Sequence, residues 1–255
     1  MPPRTRILVL GPPAIDDGGV VVPVAGRRTQ ALLAVLVLSV NHAVSIDRLL
    51  DVVWPEGVPA TGMNALQSHI SRLRALLGED SLRATDHSYT LVATCEDIDA
   101  CAFEKAVLLA AEALHTDPES ARRLLLDALS LWRGTPYGEM ADEDPFRVEA
   151  LRLEELRRTA VELELECDVA LGDQIRAIGR LRSALADDPY REHLWKLLAR
   201  SLLEQGRRVD ALKALDDYGA VMAELGLMPG READDLRAQI IEGDVVVRGG
   251  IGRAG

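Results

Sequence analysis

The stretch Met63-Asn64-Ala65-Leu66-Gln67-Ser68-His69-Ile70-Ser71-Arg72-Leu73-Arg74-Ala75-Leu76-Leu77-Gly78 decides how the first third of the chain is read. Leu66, Ile70, Leu73 and Leu77 recur at the i, i+4, i+7, i+11 spacing that lines one face of an α-helix. Gly78 stands where a C-cap glycine belongs, so the pattern predicts a helix over about 63–77. With the aliphatic stripe turned inward, Asn64, Gln67, Ser68, Ser71, Arg72, Arg74 and Ala75 are left outward or sideways.

Reading upstream, Pro55 to Gly62 is rich in proline and glycine and predicts a loop. Before it, Ile46, Leu49, Leu50 and Val53 form the stripe of a short helix that Ser45 caps and Pro55 ends. Arg27 to Val40 is a further helix, with Leu32, Leu33, Leu36 and Val40 on one face. Arg6 to Val24 alternates and turns at Gly11-Pro12-Pro13 and Asp16-Asp17-Gly18-Gly19, which predicts a small antiparallel sheet. Downstream, Ser81–Ala84 and Tyr89–Thr94 form a hairpin through Thr85-Asp86-His87-Ser88. Strands, three helices and a hairpin make the α+β winged helix-turn-helix plan of OmpR type, in which the third helix enters the major groove.

After Cys95 the periodicity is helical almost throughout. Helices are expected at Ala100–His115, Pro118–Trp132, Asp144–Ala170, Asp173–Ala186, Glu192–Glu204, Arg207–Leu225 and Pro229–Ile241. Ala177 and Ala211, like Leu181 and Leu215, are 34 residues apart, the period of the tetratricopeptide helix pair. Trp195, Leu198 and Leu202 follow the large-residue spacing of its first helix, and Pro189 closes the preceding unit. The reading is therefore multi-domain: a winged helix at 1–95, an all-α tetratricopeptide-like domain at 96–243 with a concave binding surface, and a glycine-rich tail at 244–255.

Charge agrees with two unlike halves. The formal net charge of −12 opposes nucleic-acid binding, because an acidic surface repels phosphate. Up to Cys95, however, eight basic residues meet eight acidic ones, and the remainder carries 21 against 33. Cys95, Cys101 and Cys167 show no CxxC pairing, so neither a disulfide framework nor zinc is expected, and all three read as thiols in a reducing cytoplasm. The longest apolar run, Ala31 to Leu38, is too short for a membrane span, and no cofactor motif occurs.

Ala31-Leu32-Leu33-Ala34-Val35-Leu36, Val44-Ser45-Ile46-Asp47-Arg48-Leu49 and Asn64 to Arg74 resemble the winged-helix half of the Streptomyces antibiotic regulatory proteins. Leu131-Trp132-Arg133-Gly134, Arg152-Leu153-Glu154-Glu155-Leu156-Arg157, Pro189-Tyr190-Arg191-Glu192-His193-Leu194-Trp195 and Leu225-Gly226-Leu227-Met228-Pro229-Gly230 resemble their bacterial transcriptional activation domain. The resemblance implies an activator of secondary-metabolite genes, not an enzyme. It would bind direct repeats of double-stranded promoter DNA as side-by-side protomers and recruit RNA polymerase through the sigma factor and core subunits. It also implies a short form holding these two domains without the ATPase extension of the large members.

The same resemblance assigns residues. Arg72 falls at a base-contacting arginine of the related winged helices, and Arg is the side chain suited to guanine. Asn64, Ser68, His69, Ser71 and Arg74 fall near phosphates and the groove floor, with Gln67 on the same face. Arg27 and Arg28, at a helix N-terminus, suit phosphate; the family's usual arginine at Gln30 is missing. Arg83 is the nearest basic residue of a wing that has Thr85 and Ser88 where the family has arginine and glycine, plus an acidic Asp86. The segment Trp54, Pro55, Glu56, Gly57, Val58, Pro59, Ala60 and Thr61 corresponds to the loop that meets RNA polymerase.

Trp132, Tyr190 and Trp195 are read as core, and Glu149, Glu154, Glu155, Glu162, Glu164 and Glu166 as a solvated face. The competing reading is a helical-repeat interaction scaffold whose winged domain no longer reads DNA. An enzyme reading would draw on Asp142-Glu143-Asp144 with His115 or His193, and their spacing matches no ligand pattern.

Overall fold

The computed structural model describes residues 5–242, so the tail expected at 244–255 lies outside the described residues. Strands β1 (Thr5–Leu8), β2 (Ala14–Asp17) and β3 (Val20–Pro23) form an antiparallel sheet with Ile7 opposite Ile15 and Ile15 opposite Val22. The β2–β3 turn needs Gly18 and Gly19, whose φ angles of 62° and 95° exclude most side chains. Asp16 closes that turn by accepting the Gly19 N–H at 2.7 Å.

Helices α1 (Arg27–Leu38), α2 (Ile46–Val53) and α3 (Gly62–Leu77) follow and pack on one another. Ser45 caps α2 as expected, its hydroxyl accepting the Arg48 N–H at 3.2 Å. Helix α3 buries Leu66, Ile70 and Leu73 of the stripe read from the spacing, and Leu77 at its end is half-buried. Its first residue is Gly62, where a Cβ would stand 2.5 Å from Val58 Cγ1, so any larger side chain forces the exposed Val58 to move. The hairpin is β5 (Leu82–Ala84) with β6 (Ser88–Leu91). A two-residue strand, β4 (Val44–Ser45), pairs with β6 and gives the order β4-β6-β5. Strand β6 stops before the expected Thr94 because the Asn41 side chain takes over the backbone of Ala93, donating to its carbonyl at 2.8 Å.

Seven helices complete the described chain: α4 (Asp99–Ala113), α5 (Pro118–Leu129), α6 (Phe146–Ala170), α7 (Gln174–Asp187), α8 (Glu192–Glu204), α9 (Arg208–Glu224) and α10 (Arg231–Glu242). Each lies within two residues of its expected start, and none is long and apolar enough to cross a membrane.

The chain divides into two compact units. One is built from the residues up to Ala110 together with Leu124–Ala160, the other from Ala111–Arg123 together with the residues from Val161 on. In the first unit a buried carboxylate joins the amino-terminal sheet to α4. Asp99 accepts the N–H groups of Val9 (2.8 Å), Leu10 (3.0 Å) and its neighbour Ala100 (2.8 Å). The carbonyls of the same stretch are taken as well: Leu10 accepts from Arg133 N–H at 2.8 Å and Val9 from Tyr137 N–H at 2.9 Å. Burial raises the Asp99 pKa to about 6, against the lowering effect of those N–H donors and of Arg133.

In the second unit α7 packs on α8, α8 on α9 and α9 on α10, the nearest-neighbour stacking of a helical repeat. Trp195 is buried, donating its indole N–H to the Pro189 carbonyl at 2.8 Å, and Tyr218 is buried beside it.

Three expectations need correction. Cys95 and Cys101 are not free thiols but are joined in a disulfide. The turn at Cys95–Asp97 leads straight into α4 and leaves their Cα atoms 5.1 Å apart, within bridging range. Cys167 is free and buried. The acidic run of α6 is not wholly a solvated face, because Glu164 and, one turn on, Asp168 are fully buried and held by Arg180 and Arg122. Tyr190 is exposed rather than core, since α8 begins after it and turns Leu194 and Trp195 inward instead. Trp132 is half-buried, edge-on to Phe103 with the Arg157 guanidinium 4.7 Å above its ring.

Candidate nucleic-acid interface

The burial of Leu66, Ile70 and Leu73 fixes the rotation of α3, and the opposite face is presented to solvent. Asn64, Gln67, Ser68, Ser71 and Arg72 are all exposed there. Ser68 donates its hydroxyl proton to the Asn64 carbonyl at 3.0 Å, the local back-bond of a serine within a helix. Such a row of amide, hydroxyl and guanidinium groups on a convex helix can match donors and acceptors on base edges.

The flanking residues are placed differently. Arg74 is half-buried and donates to the Leu82 carbonyl at 2.9 Å, so it ties α3 to the first wing strand. His69 is half-buried against α1, sharing a 2.9 Å hydrogen bond with the Thr29 hydroxyl and lying 6.1 Å from the Trp54 ring. Burial lowers its pKa first, and the nearby charges of Arg72 and Arg28 lower it further, which favours a neutral ring. Arg28 lies 5.5 Å over the Trp54 ring, a cation–π arrangement at the start of α1. Arg27 is ion-paired with Glu143, from the turn that precedes α6.

These groups border one cleft of about 630 Å³ lined by Arg27, Arg28, Trp54, His69, Arg72 and Glu143. Trp54 is buried, whereas Pro55 through Thr61 is exposed along its whole length. Arg83 is exposed on β5, an edge strand of the wing sheet. The wing tip is closed by a 2.8 Å hydrogen bond between the Thr85 and Ser88 hydroxyls, with Asp86 and His87 exposed.

The candidate acid–base cluster does not assemble. Glu143 pairs with Arg27 and His193 with Glu166, and no group of three metal-ligating side chains gathers among the described residues. Sequence reasoning missed Glu143 as a neighbour of the interface; nothing in the local pattern around it pointed to a residue 116 positions earlier.

Two family models match the chain. One, the C-terminal domain of transcriptional regulatory proteins, covers residues 24–91; the other, the bacterial transcriptional activator domain, covers 98–241. The transcriptional regulator RedD of Streptomyces coelicolor is 32% identical over 95% of this chain and 72% of its own length. The regulatory protein AfsR of Streptomyces griseus is 31% identical over 94% of this chain, which spans only 25% of AfsR. A solved structure of Mycobacterium tuberculosis EmbR, in complex with a low-affinity phosphopeptide, superposes with a TM-score of 0.84 at 29% identity. That similarity covers 94% of this chain and 66% of the EmbR chain. With both domains matched in order and the fold shared, the chain belongs to the Streptomyces antibiotic regulatory protein family of winged-helix, DNA-binding transcriptional activators.

Proposed function

We infer that the chain works in the cytoplasm as an activator of a secondary-metabolite gene cluster, binding direct repeats in the promoter with two protomers side by side. The observation that carries this reading is the exposed row Asn64, Gln67, Ser68, Ser71 and Arg72 on a helix whose other face is locked into the core. Arg72 is assigned to a guanine edge, where a bidentate contact discriminates by about 1–3 kcal/mol. Arg27, Arg28 and Arg83 are assigned to phosphates; Arg74 and His69 support the helix from inside. The winged domain over 1–95 then positions the helical domain over 96–243 beside the transcription machinery.

The exposed loop from Pro55 to Thr61, anchored by buried Trp54, is assigned to RNA polymerase and its sigma factor. Its support is separation: the loop leaves the core at Trp54 and returns at Gly62, so its side chains are free to meet a partner. Footprinting on the upstream regions of neighbouring genes, followed by transcription in vitro from those promoters, tests both halves. Wild-type protein should protect a repeated element and raise transcript yield. A Glu56→Ala/Val58→Ala variant should protect the same element and fail to raise it. Absence of any protected element at low salt would reject the reading.

A further inference from the structure

Within the second unit, α7, α8 and α9 enclose a cleft of about 610 Å³ that the DNA-binding reading does not use. Its floor is apolar, made by the buried Leu185, Trp195, Leu198 and Ala214. Its rim is charged. Arg182 comes from α7, Lys213, Asp210 and Asp217 from α9, and Arg207 from the residue before α9.

The rim cations are not equivalent. Arg207 is already neutralised, its Nε donating to Asp210 at 2.7 Å. Elsewhere on these helices Arg176 and Arg180 hold Asp168, Lys196 holds Glu192 and Glu232, and Arg208 donates to the Ile241 carbonyl. Among the described residues Arg182, Arg200 and Lys213 have no carboxylate within ion-pair distance, and of these Arg182 and Lys213 line the cleft. Asp217 stands one helical turn beyond Lys213 without pairing to it.

An acid-rich chain with net charge −12 has carboxylates to spare, yet leaves two cations of one cleft without one. A carboxylate brought from outside would gain charge-assisted contacts with Arg182 and Lys213, opposed only in part by Asp217 and by Asp210, which Arg207 already neutralises. The apolar floor adds a smaller preference, because a large side chain laid over it shields the edge of Trp195 that remains in contact with water. Nucleic acid is the poorer fit, because its phosphates recur at every nucleotide and would run against Asp210 and Asp217, whereas a short segment can place its carboxylates on Arg182 and Lys213 alone.

We propose that this cleft docks an extended acidic segment of a partner protein. One large apolar side chain of the segment rests on Trp195 and Leu198, and its carboxylates reach Arg182 and Lys213. The proposal stands apart from the DNA reading, and its test needs no DNA.

The test is selection of random peptides displayed against the intact chain, followed by titration of the enriched sequences. Titration is made against wild type, Arg182→Glu/Lys213→Glu and the milder Arg182→Gln/Lys213→Gln. All the altered side chains are exposed, and far-UV circular dichroism checks that each variant folds. Enriched peptides should combine Asp or Glu with a large apolar residue, weaken as salt rises, and lose about tenfold or more in affinity on the Glu variant. The proposal is overturned if no peptide is enriched, if the enriched peptides are neutral or basic, or if the Glu variant binds them unchanged. Self-association of the wild-type chain that the Glu variant abolishes, with no peptide selected, would assign the cleft to a second copy and overturn it equally.

Discussion

Arg27, the first residue of α1, is ion-paired with Glu143, the residue three positions before α6. The pair lies in the cleft that Arg28 and Arg72 also line, so an acid from beyond the winged domain stands where a DNA phosphate is assigned. Both side chains are about half-exposed, at 51% and 44%, so the attraction is screened and small, ~1 kcal/mol or less. Glu143→Gln should therefore raise DNA affinity a few-fold and steepen the dependence of log affinity on log salt by up to about one. Electrophoretic mobility shifts over a salt series measure both. Arg27→Gln added to that variant should cancel the gain, and a Glu143→Gln protein that binds no better than wild type removes Arg27 from the interface.

Arg72 and Arg74 lie two residues apart on α3 and should respond to alanine in opposite ways. Arg72 is exposed, so Arg72→Ala should leave thermal stability alone and weaken binding to the cognate repeat by about 1–3 kcal/mol, with little effect on random DNA. Arg74 holds the Leu82 carbonyl, so Arg74→Ala should cost about 1–2 kcal/mol of stability through the lost charge-assisted hydrogen bond. Denaturant unfolding read beside DNA titration separates the two. If Arg74→Ala melted like wild type while DNA binding fell, its place would be at the phosphates instead.

The contrast between these two arginines shows what was legible in the sequence. Periodicity identified α3, its buried stripe and the capping glycine, because each depends on residues within a turn or two. It could not tell Arg74 from Arg72, since the carbonyl that holds Arg74 belongs to the next element. Strand β4 was missed for the same reason: two residues carry no period, and their partners Ser88 and Tyr89 lie more than forty positions on. Asp99 reads locally as an ordinary helix-start acid, while its partners Val9 and Leu10 are 90 and 89 positions earlier. Glu164 reads as one more acid on an acidic helix, while the Arg180 that holds it, together with Asp168, comes from α7. The readable part was local and apolar; the unreadable part was long-range and polar.

Asp99 also sets a dependence of stability on pH. Its folded pKa, about 6, lies above the ordinary 3.8, so between roughly pH 4 and pH 6 the folded chain holds a proton that the unfolded chain has released. The group's contribution to stability must then fall as pH rises through that window and stay level above it. Asp99→Asn removes this term and also sets an amide N–H against the Leu10 N–H, at a cost of about 1–3 kcal/mol. Unfolding curves collected from pH 4 to pH 7 should show the wild-type advantage over Asp99→Asn shrinking as pH rises and then levelling off. An advantage that grew across the window would mean that the carboxylate is stabilised by its three N–H donors more than burial opposes it.

The strongest stability prediction concerns Arg180. Glu164 and Asp168 have no solvent exposure, and Arg180 donates to both, at 2.5 Å to Glu164 Oε1 and 2.7 Å to Asp168 Oδ2. Arg122 reaches Asp168 at 3.2 Å and Arg176 only at 3.9 Å, so neither can replace the contact with Glu164. Arg180→Leu would leave a buried carboxylate without its counter-charge, a change that costs about 3–5 kcal/mol. Adding Glu164→Leu removes the orphaned charge as well, and the double variant should recover much of the loss, because two apolar side chains carry no desolvation penalty. Chemical denaturation of wild type, both single variants and the double variant completes the cycle. A double variant no more stable than Arg180→Leu alone would show that the arginine stabilises the second unit by packing its aliphatic stem and not by meeting Glu164.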